Sequence, residues 1–143
     1  MGIDILYKAI AAECRSVVPD LKKICRDNIP QNAETPFILV LITDTDTRLC
    51  LANRQRVKQS FDVQYFPGGE IQNRRKECEK VKQEMLRGFD VISADGISFY
   101  VKEKNANVTD DVLHLLFSVS YVEYRESDQP KMEELDRKIE TEE

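Results

Sequence analysis

Near the start of the chain, apolar residues recur at intervals of three and four. Ile3, Leu6, Ile10 and Val17, with Ala9, Cys14 and Val18 beside them, predict an amphipathic helix from residue 3 to about 18. Pro19 ends it, because the residue before a proline avoids the helical region. Residues 20–24 read as an irregular or short extended piece. Residues 26–35 hold Asp27, Asn28, Pro30 and Asn32 and read as a loop. The run from Pro36 to Ile42 is continuously apolar and rich in β-branched residues, so it predicts a strand buried on both faces. Residues 43–47, which alternate threonine and aspartate, read as turn material, and 48–53 as a short strand or extended loop.

The pattern then changes period. Val57, Phe61, Val63 and Tyr65 alternate with Lys58, Asp62 and Gln64, predicting a half-buried strand that stops at Pro67-Gly68-Gly69. Cys78, Val81, Met85 and Phe89, with Ile71 before them, form the apolar stripe of a second helix over 71–88, and Gly88 is placed to end it. Val91 and Ile92, then Ile97, Phe99 and Val101, flank Asp95-Gly96, a hairpin signal. Residues 103–110 read as a polar loop. Leu113, Leu115, Phe117, Val119 and Tyr121 fall on one face of a long last strand, with His114, Ser118 and Ser120 on the other. These elements predict an α+β fold: a mainly antiparallel sheet of about four to five strands with two main helices packed on one face. One α+β domain is expected over 1–126, followed by a charged tail over 127–143. In that tail Met132, Leu135 and Ile139 line a short helix and the terminal glutamates are disordered.

Composition narrows the function. The chain has 143 residues, 41% hydrophobic and 33% charged, with a formal net charge of −5. An acidic chain makes sequence-specific nucleic acid an unexpected partner. No apolar run is long enough to span a bilayer, so no membrane partner is expected. The first residues lack the basic and apolar stretches of a signal peptide, and Leu6 stands where a myristoylation pattern wants Ser or Thr. Cys14, Cys25, Cys50 and Cys78 match no zinc spacing and read as reduced, structural thiols.

Catalytic patterns fail on their own chemistry. Phosphate-binding glycine motifs, zinc-protease motifs and nucleophile elbows are absent from the sequence. Gly68-Gly69 before a helix is where an anion could bind, but a loop-to-helix turn is the plainer reading. Asp44 and Asp46 begin like a calcium loop, yet Leu49 and Gln55 stand where glycine and glutamate are required. His114 has no evident partner carboxylate in its own stretch, since Asp110 and Asp111 lie in the preceding loop. Asp95, Glu103 and Lys104 faintly suggest a metal-dependent nuclease, but adjacent Glu103 and Lys104 point to opposite faces of a strand. No catalytic, cofactor-binding or metal-binding residue is assigned, no cofactor is expected, and the chain does not read as an enzyme. Arg54, Arg56 and Lys58 alternate into the second strand and form a basic stripe. That stripe is either a solvated face or an electrostatic contact with an acidic neighbouring subunit.

Three stretches together carry a resemblance: residues 53–56 leading into the segment from Ser60 to Pro67; the run from Asp111 to Val119; and Lys131-Met132-Glu133-Glu134-Leu135. Their order and spacing resemble the tail terminators of phages and prophages of Gram-positive bacteria. The likeness extends from the first helix to about Leu135, while Asn105-Ala106-Asn107 and the acidic C-terminus are departures. The resemblance implies a structural virion-assembly protein at the junction of tail and head, present in the host cytoplasm during assembly. Such a subunit forms a ring, commonly a hexamer, on the last ring of the tail tube. The ring stops tube growth and presents the surface for head-tail joining. Implied partners are further copies of the chain, the major tail tube protein and a head-completion or connector protein. The expected interface residues are Asp44, Asp46, Arg48, Arg54, Arg56 and Lys58, with 43–53 facing a partner ring. The alternatives are a head-completion or neck subunit on the portal side, a small metal-dependent nuclease, and a monomeric regulatory module with an apolar pocket.

Overall fold

The computed structural model describes residues 2–124. Helix α1 (Gly2–Val17) is followed by strands β1 (Lys23–Arg26), β2 (Phe37–Leu49) and β3 (Arg54–Phe66). A short 3-10 turn, Ile71–Asn73, leads into α2 (Arg74–Gly88), and β4 (Val91–Ala94), β5 (Ile97–Thr109) and β6 (Val112–Tyr124) complete the order. The expected 127–143 tail, its short helix and the boundary at 126 lie outside the described residues.

The six strands form one sheet in the order β1-β2-β3-β6-β5-β4. Strand β1 runs parallel to β2, and every other neighbouring pair is antiparallel. The sheet is therefore mixed and larger than the expected four to five antiparallel strands. The additional strand comes from Lys23–Arg26, whose single buried residue, Cys25, gives too short a pattern to mark a strand in sequence.

The core forms where the helix stripes meet one sheet face. Leu6, Ile10 and Cys14 of α1 and Cys78, Val81 and Met85 of α2 pack in one cluster with Ile38, Val40, Phe61, Val63, Leu113, Leu115 and Phe117. Aromatic rings lock it together: Tyr7 meets Phe61 edge-on at 5.8 Å, and Phe117 lies 5.5 Å from Phe61 and 5.6 Å from Phe89. Ile71 stays exposed and takes no part. A smaller cluster of Cys25, Phe37 and Leu39, flanked by Ala33, Leu41 and Phe66, forms apart from the main core.

Two stretches expected as loops are strand. Residues 43–47 continue β2, and 103–110 belong almost wholly to β5. Thr43, Thr45 and Thr47 supply β-branched positions that suit an extended chain, and this outweighs the turn preference of the aspartates between them. Two of the true turns, Asp95-Gly96 and Asp110-Asp111, are tight two-residue loops with positive φ at both positions, as a type I′ hairpin demands. The third, over residues 50–53, turns with positive φ at Ala52 and Asn53. Only Asp95-Gly96 advertises that conformation in sequence.

Each of the two lengthened strands carries a bulge, in β2 between Ile42 and Asp44 and in β5 between Lys102 and Asn105. One extra residue reverses which side chains face which way. Before the bulge Ile38, Val40 and Ile42 pair with Tyr65, Val63 and Phe61 on the helix side of the sheet. After it Asp44 pairs with Ser60, Asp46 with Lys58 and Arg48 with Arg56. That alternation places them on the face away from the helices.

Candidate assembly interface

The end of the sheet formed by the tips of β2 and β3 and the last residues of β6 extends past the main core. Every residue of β2 after Leu41 is exposed. Side by side across three strands lie Asp46, Lys58 and Ser120, then Arg48, Arg56 and Val122, then Arg54 and Tyr124. The register therefore gathers Asp44, Asp46, Arg48, Arg54, Arg56 and Lys58 on one sheet face. The sequence pattern could not do this for β2, because it gives no sign of the bulge.

The charges differ in how they are satisfied. Lys58 Nζ lies 3.2 Å from a Glu103 carboxylate oxygen, and Ser118 Oγ donates to the same carboxylate at 2.9 Å. The Ser118 hydrogen bond first, and Lys58 second, hold Glu103 below the usual carboxylate range. Lys58 is thus matched within the chain. Arg54 Nε donates to the Leu51 carbonyl across the turn at 3.3 Å. Arg48 and Arg56 stand directly opposite each other, and among the described residues neither has an ion pair. Like charges in directly opposed positions repel and destabilise a sheet. The two arginines, with Asp46, Thr47, Lys58 and Ser120, line an open cavity of about 260 Å³. At the hairpin tip Leu49 and Leu51 are 64% and 83% exposed, and Tyr124 is 74% exposed. Leu49 and Leu51 fall in the 43–53 stretch expected to face a partner, whereas Glu103, Ser118 and Tyr124 were not expected in this region. The strict alternation of threonine through 43–47 was the one available signal that the hairpin reaches so far.

The remaining candidates resolve into structural contacts. Gly68 and Gly69 aim their amides at a carboxylate of the chain itself: their N–H groups donate to Glu77 at 3.1 and 3.0 Å, and the Tyr65 hydroxyl donates to Glu77 at 2.6 Å. Burial first, and Glu77 second, raise the Tyr65 hydroxyl well above its usual pKa. His114 does have a partner carboxylate, contributed by β3: Nδ1 lies 3.2 Å from Asp62, which also accepts from Gln64 at 2.9 Å. Glu103 and Lys104 part company, Glu103 to Lys58 and Ser118, and Lys104 to the Leu86 carbonyl at 2.7 Å and Asp90 at 2.6 Å. There Lys104 ties the C-terminal end of α2 to β5. The four cysteines are free, and Cys14, Cys25 and Cys78 are buried. Among the described residues no three metal-ligating side chains converge, and no helix is long and apolar enough to cross a membrane.

Comparison with known proteins places this architecture. No curated protein matches the chain. One solved structure aligns over 90% of this chain and 99% of its own at 12% identity, with a TM-score of 0.41. That likeness is too distant to support an argument. The sequence does match a protein family over residues 5–131, from the first helix to beyond the last described strand. A match of that extent makes the assignment plain: the chain belongs to the phage tail terminator protein family, a family of structural components of the virion tail.

Proposed function

We propose that this subunit closes the end of a phage tail tube as part of a ring. It stops tube growth there and presents the surface that a head-completion or connector protein meets. Six copies are the expected ring, and the host cytoplasm is the expected place of assembly. The observation that carries the reading is the uncovered end of the β2–β3 hairpin with the last residues of β6. It combines exposed Leu49, Leu51 and Tyr124 with Arg48 and Arg56, which have no ion pair among the described residues. An isolated subunit gains nothing from such a surface, whereas a subunit that joins others does. A ring requires each copy to offer two different, complementary patches.

The test adds purified protein to polymerising major tail protein of the same phage, with tube length and ends followed by electron microscopy. Tubes that stop at a common end bearing extra density are expected. Tubes that grow on bare would remove the capping role and favour the portal side of the neck.

A further inference from the structure

We infer that the Arg48–Arg56 pair of one copy docks onto carboxylates in a groove at the opposite end of a second copy, between the end of α1 and the face of α2. The inference rests on the ring reading above and names the contact that would build the ring.

The hairpin supplies half of the argument. Arg48 and Arg56 face each other across one ladder step with no ion pair among the described residues. Their mutual repulsion is a cost that the isolated subunit does not recover, and an incoming carboxylate removes it. The planar guanidinium is the side chain best suited to hold a carboxylate in a partly dry contact. Leu49, one step further on and on the other face of the ladder, and Leu51, in the turn, supply apolar area that is wasted in solvent.

The groove supplies the other half. It encloses about 270 Å³, with Val17, Val18, Pro19 and Val81 as its apolar wall. Asp20, Glu77 and Glu84 line it too, with Lys80 as the single opposing charge. Glu77 is engaged with Tyr65 and the glycine amides, while Asp20 and Glu84 have no ion pair among the described residues. The groove therefore offers an apolar wall to the leucines and two uncommitted carboxylates to the arginines.

Position makes the contact heterologous. Tyr65, at the groove, and Arg54, at the hairpin tip, lie near opposite ends of β3. Eleven residue-to-residue steps of strand separate them, about 35 Å. The two patches cannot meet within one chain, so they join one copy head to tail with the next, and such contacts close into rings or extend as filaments. Pairing of the open sheet edges is the weaker route, since β2 beyond Val40 and β5 beyond Tyr100, the stretches that short β1 and β4 leave uncovered, each carry a bulge, a feature that blunts an edge.

The experiment is a charge swap in the full chain, read by sedimentation velocity at low and high salt. R48E/R56E and D20R/E84R are prepared as separate variants. The unaltered chain is expected to self-associate, more strongly at low salt, and each variant alone to associate roughly tenfold or more weakly. Mixing the two variants is expected to restore association, because each then meets a partner of opposite charge. Circular dichroism melts check that both remain folded. An unaltered chain that stays monomeric at high concentration and low salt would overturn the inference. So would a mixture that remains monomeric, or an R48E/R56E variant that associates like the unaltered chain. A third full-length variant carries E133Q, E134Q and E140Q. If it loses association while D20R/E84R does not, the carboxylates come from the C-terminal segment and the groove assignment fails. The tube-capping assay keeps the two readings apart. Association rescued by the swap without capping removes the terminator role alone, and capping by R48E/R56E removes this contact alone.

Discussion

The same three strands, β2, β3 and β6, run through two regions that differ in almost every respect. In the first, Ile38, Val40, Phe61, Val63, Leu115 and Phe117 are buried together against both helices. In the second, a few residues further along each strand, the helices give no cover and the residues are charged, polar or exposed apolar. The hydrogen-bonded ladder is continuous between them. Backbone pairing alone thus does not make a core. What changes is whether side chains have something to pack against, and that depends on how far the helices reach. The first region holds the fold, and the second contributes little to holding it.

That contrast can be broken or sharpened by substitution. The largest effect is expected from Phe61→Ala, which empties the centre of the aromatic cluster. It should cost about 3–5 kcal/mol in urea unfolding, and a loss below 1 kcal/mol would mean that the core lies elsewhere. Next is Glu77→Gln, which sets an amide among the Tyr65 hydroxyl and the Gly68 and Gly69 amides. A loss of roughly 1–3 kcal/mol is expected by the same measurement, along with loosening of the 67–70 segment in amide exchange. Cys78 tests burial through pH. Its thiol is pushed up from 9.0 to about 11, mainly by burial and then by Glu77. The folded state therefore keeps its proton after the unfolded state has lost it. The corresponding stability is complete below pH 9.0 and falls as pH rises toward about 11. Cys78→Ala should flatten part of that alkaline decline in chemical unfolding followed from pH 8 to 11, without abolishing it, because Cys14 and Tyr65 are raised as well.

The smallest effect belongs to the outer region and has the opposite sign. Arg56→Glu replaces a repelling pair by an attracting one, so the free subunit should gain about 0.2–1 kcal/mol in thermal or urea unfolding. A clear loss would mean that the arginines are already satisfied within the chain. Thiol labelling separates the regions by rate. Cys50, beside the hairpin turn and only partly covered, should react with an aromatic disulfide in the folded protein, while Cys14, Cys25 and Cys78 should wait for unfolding.

Much of the inner region was legible in sequence, and little of the outer one. The stripes Leu6-Ile10-Cys14 and Cys78-Val81-Met85 repeat at a helical period, and the alternation from Leu113 to Val119 repeats at a strand period. Each therefore identifies its element and its buried face. Apart from Val57 and Leu49 the outer hairpin strands are polar on both sides, too few apolar positions to give a hydrophobic period, and the turn uses Leu51-Ala52-Asn53 in place of a glycine signal. The bulges leave no local mark at all, since they are fixed by pairing with strands elsewhere in the chain. The pairs Asp62 with His114 and Lys58 with Glu103 span 52 and 45 residues. No inspection of neighbouring positions could join them.

The bulge at Thr43 has a consequence best put in terms of phase. A strand repeats every two residues, so a single inserted residue acts on the pleat as a frameshift acts on codons. Everything beyond it is read on the other face until the strand ends. The buried part of β2 and its outer part are thus in different frames, joined by one position. Running the same sequence on without the bulge, with Thr43 itself opposite Ser60, would keep every side chain of β2. It would nevertheless turn Asp44, Asp46 and Arg48 toward the helix side and Thr45 and Thr47 away from it, exchanging one surface for another at a stroke.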